Sequence, residues 1–63
     1  MTYAEAKQAV KQGKRVERED GRLRIELRID DKKRFFCSVF LGVNNIYDDP
    51  NDDDKNSTDW RVL

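Results

Sequence analysis

Arg22-Leu23-Arg24-Ile25-Glu26-Leu27-Arg28-Ile29 alternates charged and aliphatic residues at every one of its eight positions. A strand points successive side chains to opposite faces and a helix does not, so unbroken alternation of this length reads as an extended ribbon. Leu23, Ile25, Leu27 and Ile29 form an apolar face that must be buried. Arg22, Arg24, Glu26 and Arg28 form the other face, a row of guanidiniums with one carboxylate. An antiparallel sheet packed on one side accepts such a ribbon.

The flanking segments supply the rest of a small domain. Thr2 and Glu5 have capping-box spacing, and Tyr3, Ala4, Ala6, Ala9 and Val10 make an apolar stripe. With Lys11 in the last turn and Gly13 as a stop, the helix is expected over about residues 3–12. Residues 14–19 read as a strand anchored by Val16, with Asp20-Gly21 as a tight turn into the strand over 22–29. A polar turn, Asp30-Asp31-Lys32-Lys33, leads to a third strand over 34–43. Its Phe35, Cys37, Val39 and Leu41 share one face, and Phe36, Ser38, Phe40 and Gly42 the other. Residues 44–57 read as a long acidic loop, and 59–63 as a short last strand. The expected fold is one α+β domain over 1–63, an N-terminal helix packed on a small antiparallel sheet of three or four strands.

A chain of 63 residues has a small core, burying only about 60% of its unfolded surface. Cys37 is the only cysteine and histidine is absent, which excludes an internal disulfide and a zinc site. Self-association is the remaining supplement. One helix covers one sheet face, so Phe36 and Phe40 need the C-terminal segment or a second subunit over them. A homo-oligomer is therefore expected. No apolar run of about 18 residues and no signal-like N-terminal core are present, so no membrane partner and a cytoplasmic location are expected.

Charge is balanced overall but segregated. Residues 1–36 carry 11 Lys/Arg against 7 Asp/Glu, and residues 37–63 carry 2 against 6. A neutral total disfavours a nonspecific nucleic-acid binder, which needs a basic excess.

Acid–base and nucleophilic catalysis usually rest on His, a paired Cys or enclosed carboxylates, so the chain is expected not to be an enzyme and to need no cofactor. Asp49, Asn51 and Asp53 match the opening of a calcium loop. Asp54 then stands where the loop needs glycine, and Trp60 where it needs a bidentate glutamate, so no metal is expected. The cationic face is the stronger candidate. Arg22, Arg24 and Arg28 share one strand, and Arg18 and Arg34 join them if the register allows. Arginine forks hold phosphate or carboxylate, and Trp60, Tyr47 or Phe36 offers a stacking surface. A solvated face of Arg–Glu pairs is the simpler alternative.

Thr2-Tyr3-Ala4-Glu5-Ala6, Lys11-Gln12-Gly13-Lys14 and Val16-Glu17-Arg18, with Asp59-Trp60-Arg61-Val62 near the other end, carry a resemblance. Together they resemble a family of short phage and prophage proteins that includes the second class of Thoeris anti-defence proteins. The resemblance implies a sponge that binds a cyclic nucleotide-derived signal between subunits and does no chemistry on it. By motif it assigns Arg18 and the Asp59-Trp60 pair to the site. The expected ligand-binding set is then Arg18, Arg22, Arg24, Arg28 and Trp60, facing an anionic nucleotide-like small molecule in the host cytosol. The alternative partner is a host or immune protein, with Phe36, Phe40 and Tyr47 as the interface beside the acidic loop. That reading is an inhibitor of anti-CRISPR or anti-restriction type.

Overall fold

The computed structural model describes residues 1–63. In chain order the elements are α1 (Tyr3–Lys11), β1 (Val16–Asp20), β2 (Leu23–Ile29), β3 (Phe35–Leu41), β4 (Asn44–Asp48), α2 (Asp52–Asn56) and β5 (Arg61–Val62). The fold is α+β, a short N-terminal helix on an antiparallel sheet. The sheet has five strands in the order β4-β3-β2-β1-β5, one more than the upper expectation.

Thr2 and Glu5 close the expected capping box: the Thr2 hydroxyl accepts from the Glu5 amide at 3.2 Å, and the Glu5 carboxylate accepts from the Thr2 amide at 2.9 Å. Gly13 ends the helix in the left-handed region at φ +84°. The small residues Ala6, Ala9 and Val10 are the buried ones, which lets the helix lie close to the sheet.

Register fixes the two faces. Val16 pairs with Leu27, and Leu27 with Cys37; the next row in is Arg18, Ile25, Val39 and Ile46. The apolar side of β2 therefore lies beside Phe35, Cys37 and Val39, and this is the side α1 covers. Ala6, Ala9, Val10, Val16, Ile25, Leu27, Cys37 and Trp60 form the buried core. Fully burying a large apolar side chain contributes about 1.5–3 kcal/mol. With so few of them, net stability for this length is expected at about 3–9 kcal/mol.

Both tight turns are two-residue loops that open on glycine, Gly21-Arg22 at φ +61° and Gly42-Val43 at φ +62°. The second shortens the expected third strand and sends the chain straight back as β4. The expected acidic loop over 44–57 is thereby corrected: it holds a strand and a helical turn. α2 exists because Asn51 accepts from the Asp54 amide at 2.8 Å while the Asp54 carboxylate accepts from the Asn51 amide at 3.1 Å. The last strand is shorter than expected, with Val62 beside Val16. The N-terminal ammonium donates to the Thr58 and Trp60 carbonyls at 3.0 and 2.8 Å, tying the two chain ends together. No helix is long and apolar enough to cross a membrane.

Candidate binding face

The second sheet face is covered by no element of the chain. β2 sends Arg24, Glu26 and Arg28 to it, and β3 sends Phe36, Ser38 and Phe40. β1 adds Glu17 and Glu19, β4 adds Asn45 and Tyr47, and β5 adds Arg61. Arg24 stands opposite Phe40 and Arg28 opposite Phe36. Each guanidinium consequently lies over its neighbour's ring, at 5.4 Å for Arg24 and 5.8 Å for Arg28. Tyr47 meets Phe36 edge-on at 6.0 Å, extending the aromatic run to the sheet edge. Phe36 and Phe40 are half-buried, and the small Ser38 between them is covered.

Carboxylates thread this face. Glu17 and Glu26 are direct cross-strand partners, an unfavourable like-charge pair by itself. Arginines resolve it. Arg61 donates to Glu17 at 3.0 Å and to Glu19 at 2.9 Å, Arg24 lies 3.9 Å from Glu17, and Arg15 holds Glu26 at 3.2 Å. Hydrogen bonds from Arg61 to Glu17 and then Glu19 raise its pKa above the ordinary guanidinium value. Arg28 has no carboxylate within ion-pair distance, and neither does Arg22, which sits in the Gly21-Arg22 loop beyond the end of β2. Arg34 lies in the turn before β3, paired with Asp30 at 3.3 Å.

Arg18 and Trp60 are not on this face, contrary to their expected place in one ligand-binding set with Arg22, Arg24 and Arg28. Arg18 follows Val16 at a spacing of two, so it points to the helix side. Arg18 is 7% exposed, and its guanidinium donates to Asp54 at 2.7 Å and to Asp59 at 3.1 Å and lies 5.9 Å from the Trp60 ring centre. Trp60 is 2% exposed, its indole N–H donates to the Asp54 carbonyl at 3.0 Å, and its ring meets Tyr3 at 6.1 Å. The residues singled out at the two ends of the chain do converge, but around a buried carboxylate. Burial alone would lower the Arg18 pKa; the hydrogen bonds and charges of Asp59 and Asp54 outweigh it and raise it. Cys37 completes the cluster with its thiol 3.7 Å from Asp54. Burial first, then the Asp54 charge, pushes that thiol up to about 12.

Asp54 was not among the expected functional residues, since three aspartates in a row read as solvated. The available signal was its spacing of three from Asn51, a capping arrangement. Lysines make a second cationic locality. Lys7 and Lys11 lie over the Phe35 ring at 5.8 and 5.9 Å, and Lys11, Ile29, Lys33 and Phe35 line an open cleft of about 450 Å³. A cleft of about 290 Å³ toward the β4 edge, on the other side of the sheet, is lined by Phe36, Tyr47, Asp48 and Asp49. No group of three or more His, Cys, Asp or Glu is arranged to hold a metal ion. No family model, curated protein or solved structure matches this chain.

Proposed function

We propose that this chain is a small phage-type accessory protein that antagonises host defence by binding, without catalysis, through its open sheet face. In this reading Arg24 and Arg28 hold an anionic, nucleotide-like small molecule, with Phe36, Phe40 and Tyr47 as the flat surface for its base. The observation that carries it is the seating of two guanidiniums on two phenyl rings, at 5.4 and 5.8 Å, on a face nothing in the chain covers. A guanidinium lying on a ring is held in place while its N–H edge stays free for phosphate oxygens. Arg28, without a carboxylate partner, is the better placed of the two; Arg22 lies in the β1–β2 turn, at the Arg24 end of β2. Arg18 and Trp60 belong to the fold in this reading and not to the ligand.

Calorimetry of the purified protein against cyclic nucleotides and cyclic ADP-ribose isomers tests the proposal. One ligand should bind, and Arg24→Ala with Arg28→Ala should weaken it about ten- to hundredfold, the loss of charge-assisted bonds to a phosphate. Silence across the panel removes the small-molecule reading.

A protein-binding inhibitor is the second reading, and the charge balance of the same face favours it. Glu17, Glu19 and Glu26 offset most of the charge of Arg15, Arg24, Arg28 and Arg61. Retention of a host protein that is lost in Phe40→Asp, with calorimetry silent, supports that reading.

A further inference from the structure

The two edges of the sheet differ. β5 is two residues long, and the chain continues past it with the Leu63 amide bonded to the Arg15 carbonyl at 2.9 Å. β4 is five residues long and exposed throughout. It carries none of the usual protections of an edge: no lysine, no proline, no bulge, and a single charge, Asp48, at its last position. Seven large hydrophobic residues are exposed in the molecule. Three lie at the chain ends, Met1, Val62 and Leu63, and the other four, Leu41, Val43, Ile46 and Tyr47, all belong to the β3–β4 hairpin.

From this we infer that β4 is a self-association edge, pairing antiparallel with β4 of a second copy to make one continuous ten-stranded sheet. The backbone determines the register. In a hairpin with a two-residue loop, the flanking residues Leu41 and Asn44 form a hydrogen-bonded pair, and pairs alternate from there. Asn44, Ile46 and Asp48 therefore direct their backbone groups toward β3, while Asn45 and Tyr47 direct theirs to the free edge. Two-fold symmetry about an axis normal to the sheet, with matching faces, requires the axis to pass through a residue. Centring on Ile46 uses all five positions. Asn45 then exchanges both backbone bonds with the partner's Tyr47, and the symmetry mate does the same.

Side chains agree with that register. Ile46 meets the partner's Ile46 at a closely spaced, non-hydrogen-bonded pair, joining the Val39–Ile46 row of each copy into one apolar band. Asp48 lies opposite the partner's Asn44, so the only charge in the strand meets a neutral amide and not its own copy. On the open face, the Phe40–Asn45 row continues into the partner's Tyr47. The aromatic surface of one chain is thus extended by a residue of the other. The second copy also supplies part of the apolar burial that so short a chain lacks.

Sedimentation equilibrium over a wide range of protein concentration tests this independently of any ligand. The expected result is a shift from the 7.5 kDa monomer toward twice that mass as concentration rises. Tyr47→Pro removes an outward N–H without touching the β3 ladder and should return the species to monomer mass. Ile46→Lys, which places a charge at the centre of the seam, should do the same with an unchanged circular dichroism spectrum. A monomer at every concentration overturns the inference. So does an oligomer that both variants leave intact, because it would use another surface. Calorimetric silence alone would bear on the ligand and not on this edge.

Discussion

Arg18 is 7% exposed, and its charge is answered twice: Nη1 donates to Asp54 at 2.7 Å and Nε to Asp59 at 3.1 Å, with the Trp60 ring centre 5.9 Å away. Asp54 in turn serves three partners, taking hydrogen bonds from Arg18, from the Asn51 amide and from the Cys37 thiol. Deleting Arg18 leaves a carboxylate at 4% exposure without its counter-charge, a loss of about 3–5 kcal/mol in comparable sites. That is a large share of the stability available to a chain of this length, about 3–9 kcal/mol. Arg18→Ala should therefore melt well below the parent chain by circular dichroism. Arg24→Ala, on the exposed face, gives up the 3.9 Å approach to Glu17 and the seat on the Phe40 ring at 5.4 Å and should lose about 1 kcal/mol. If both variants melt alike, Arg18 does not have the structural role assigned to it.

Turns decide where this sheet ends its strands, and one of them is strained. The β2–β3 connection closes with the Asp30 amide donating to the Arg34 carbonyl at 2.9 Å, and Lys33 sits in the left-handed region at φ +65°. A side chain there costs about 1–2 kcal/mol, part of which glycine's greater unfolded-state entropy offsets. Lys33→Gly should raise stability by about 0.5–1 kcal/mol in urea melts, with no change in the far-ultraviolet spectrum. What could be read at this scale followed the turns and the alternation. β2 shows itself because every odd position is aliphatic, and α1 because Thr2, Glu5 and Gly13 punctuate it. β4 does not, since Asn-Asn-Ile-Tyr-Asp has little strand propensity and is held in the sheet by pairing with β3. Its one legible mark is Gly42-Val43, the same glycine-first loop as Gly21-Arg22. Arg18 was legible in principle, two residues after the buried Val16, but a polar run of Val-Glu-Arg-Glu-Asp gives no hint of the Asp54 that makes its burial tolerable. The open face was readable as arginine beside aromatic; its glutamate threading required the register of β1 against β2.

Across the whole molecule, titration should bound stability from both sides, and the two limits have different origins. On the acid side, the Thr2 backbone and hydroxyl hold the Glu5 carboxyl below the usual carboxylate range, and the Arg34 and Lys32 amides do the same for Asp30. A carboxyl with a depressed folded-state pKa contributes its stability above the unfolded value, about pH 4, and loses it as pH falls further. On the alkaline side, burial raises Tyr3 and pushes Cys37 up to about 12. A group raised in the folded state contributes fully below its unfolded value, near 9 for a thiol, and that contribution disappears as pH climbs toward the folded value. Both alkaline groups surround Asp54, whose charge raises each of them. The alkaline fall thus draws on one buried cluster, while Glu5 and Asp30, at the start of α1 and in the β2–β3 turn, contribute to the acid fall. Urea midpoints measured from pH 3 to 11 should be level between about pH 5 and 9 and fall on either side. Cys37→Ala should lower the level region through the lost packing yet flatten its alkaline fall, leaving the acid fall unchanged. An alkaline limb as steep in Cys37→Ala as in the parent chain would show that the thiol beside Asp54 is not its source.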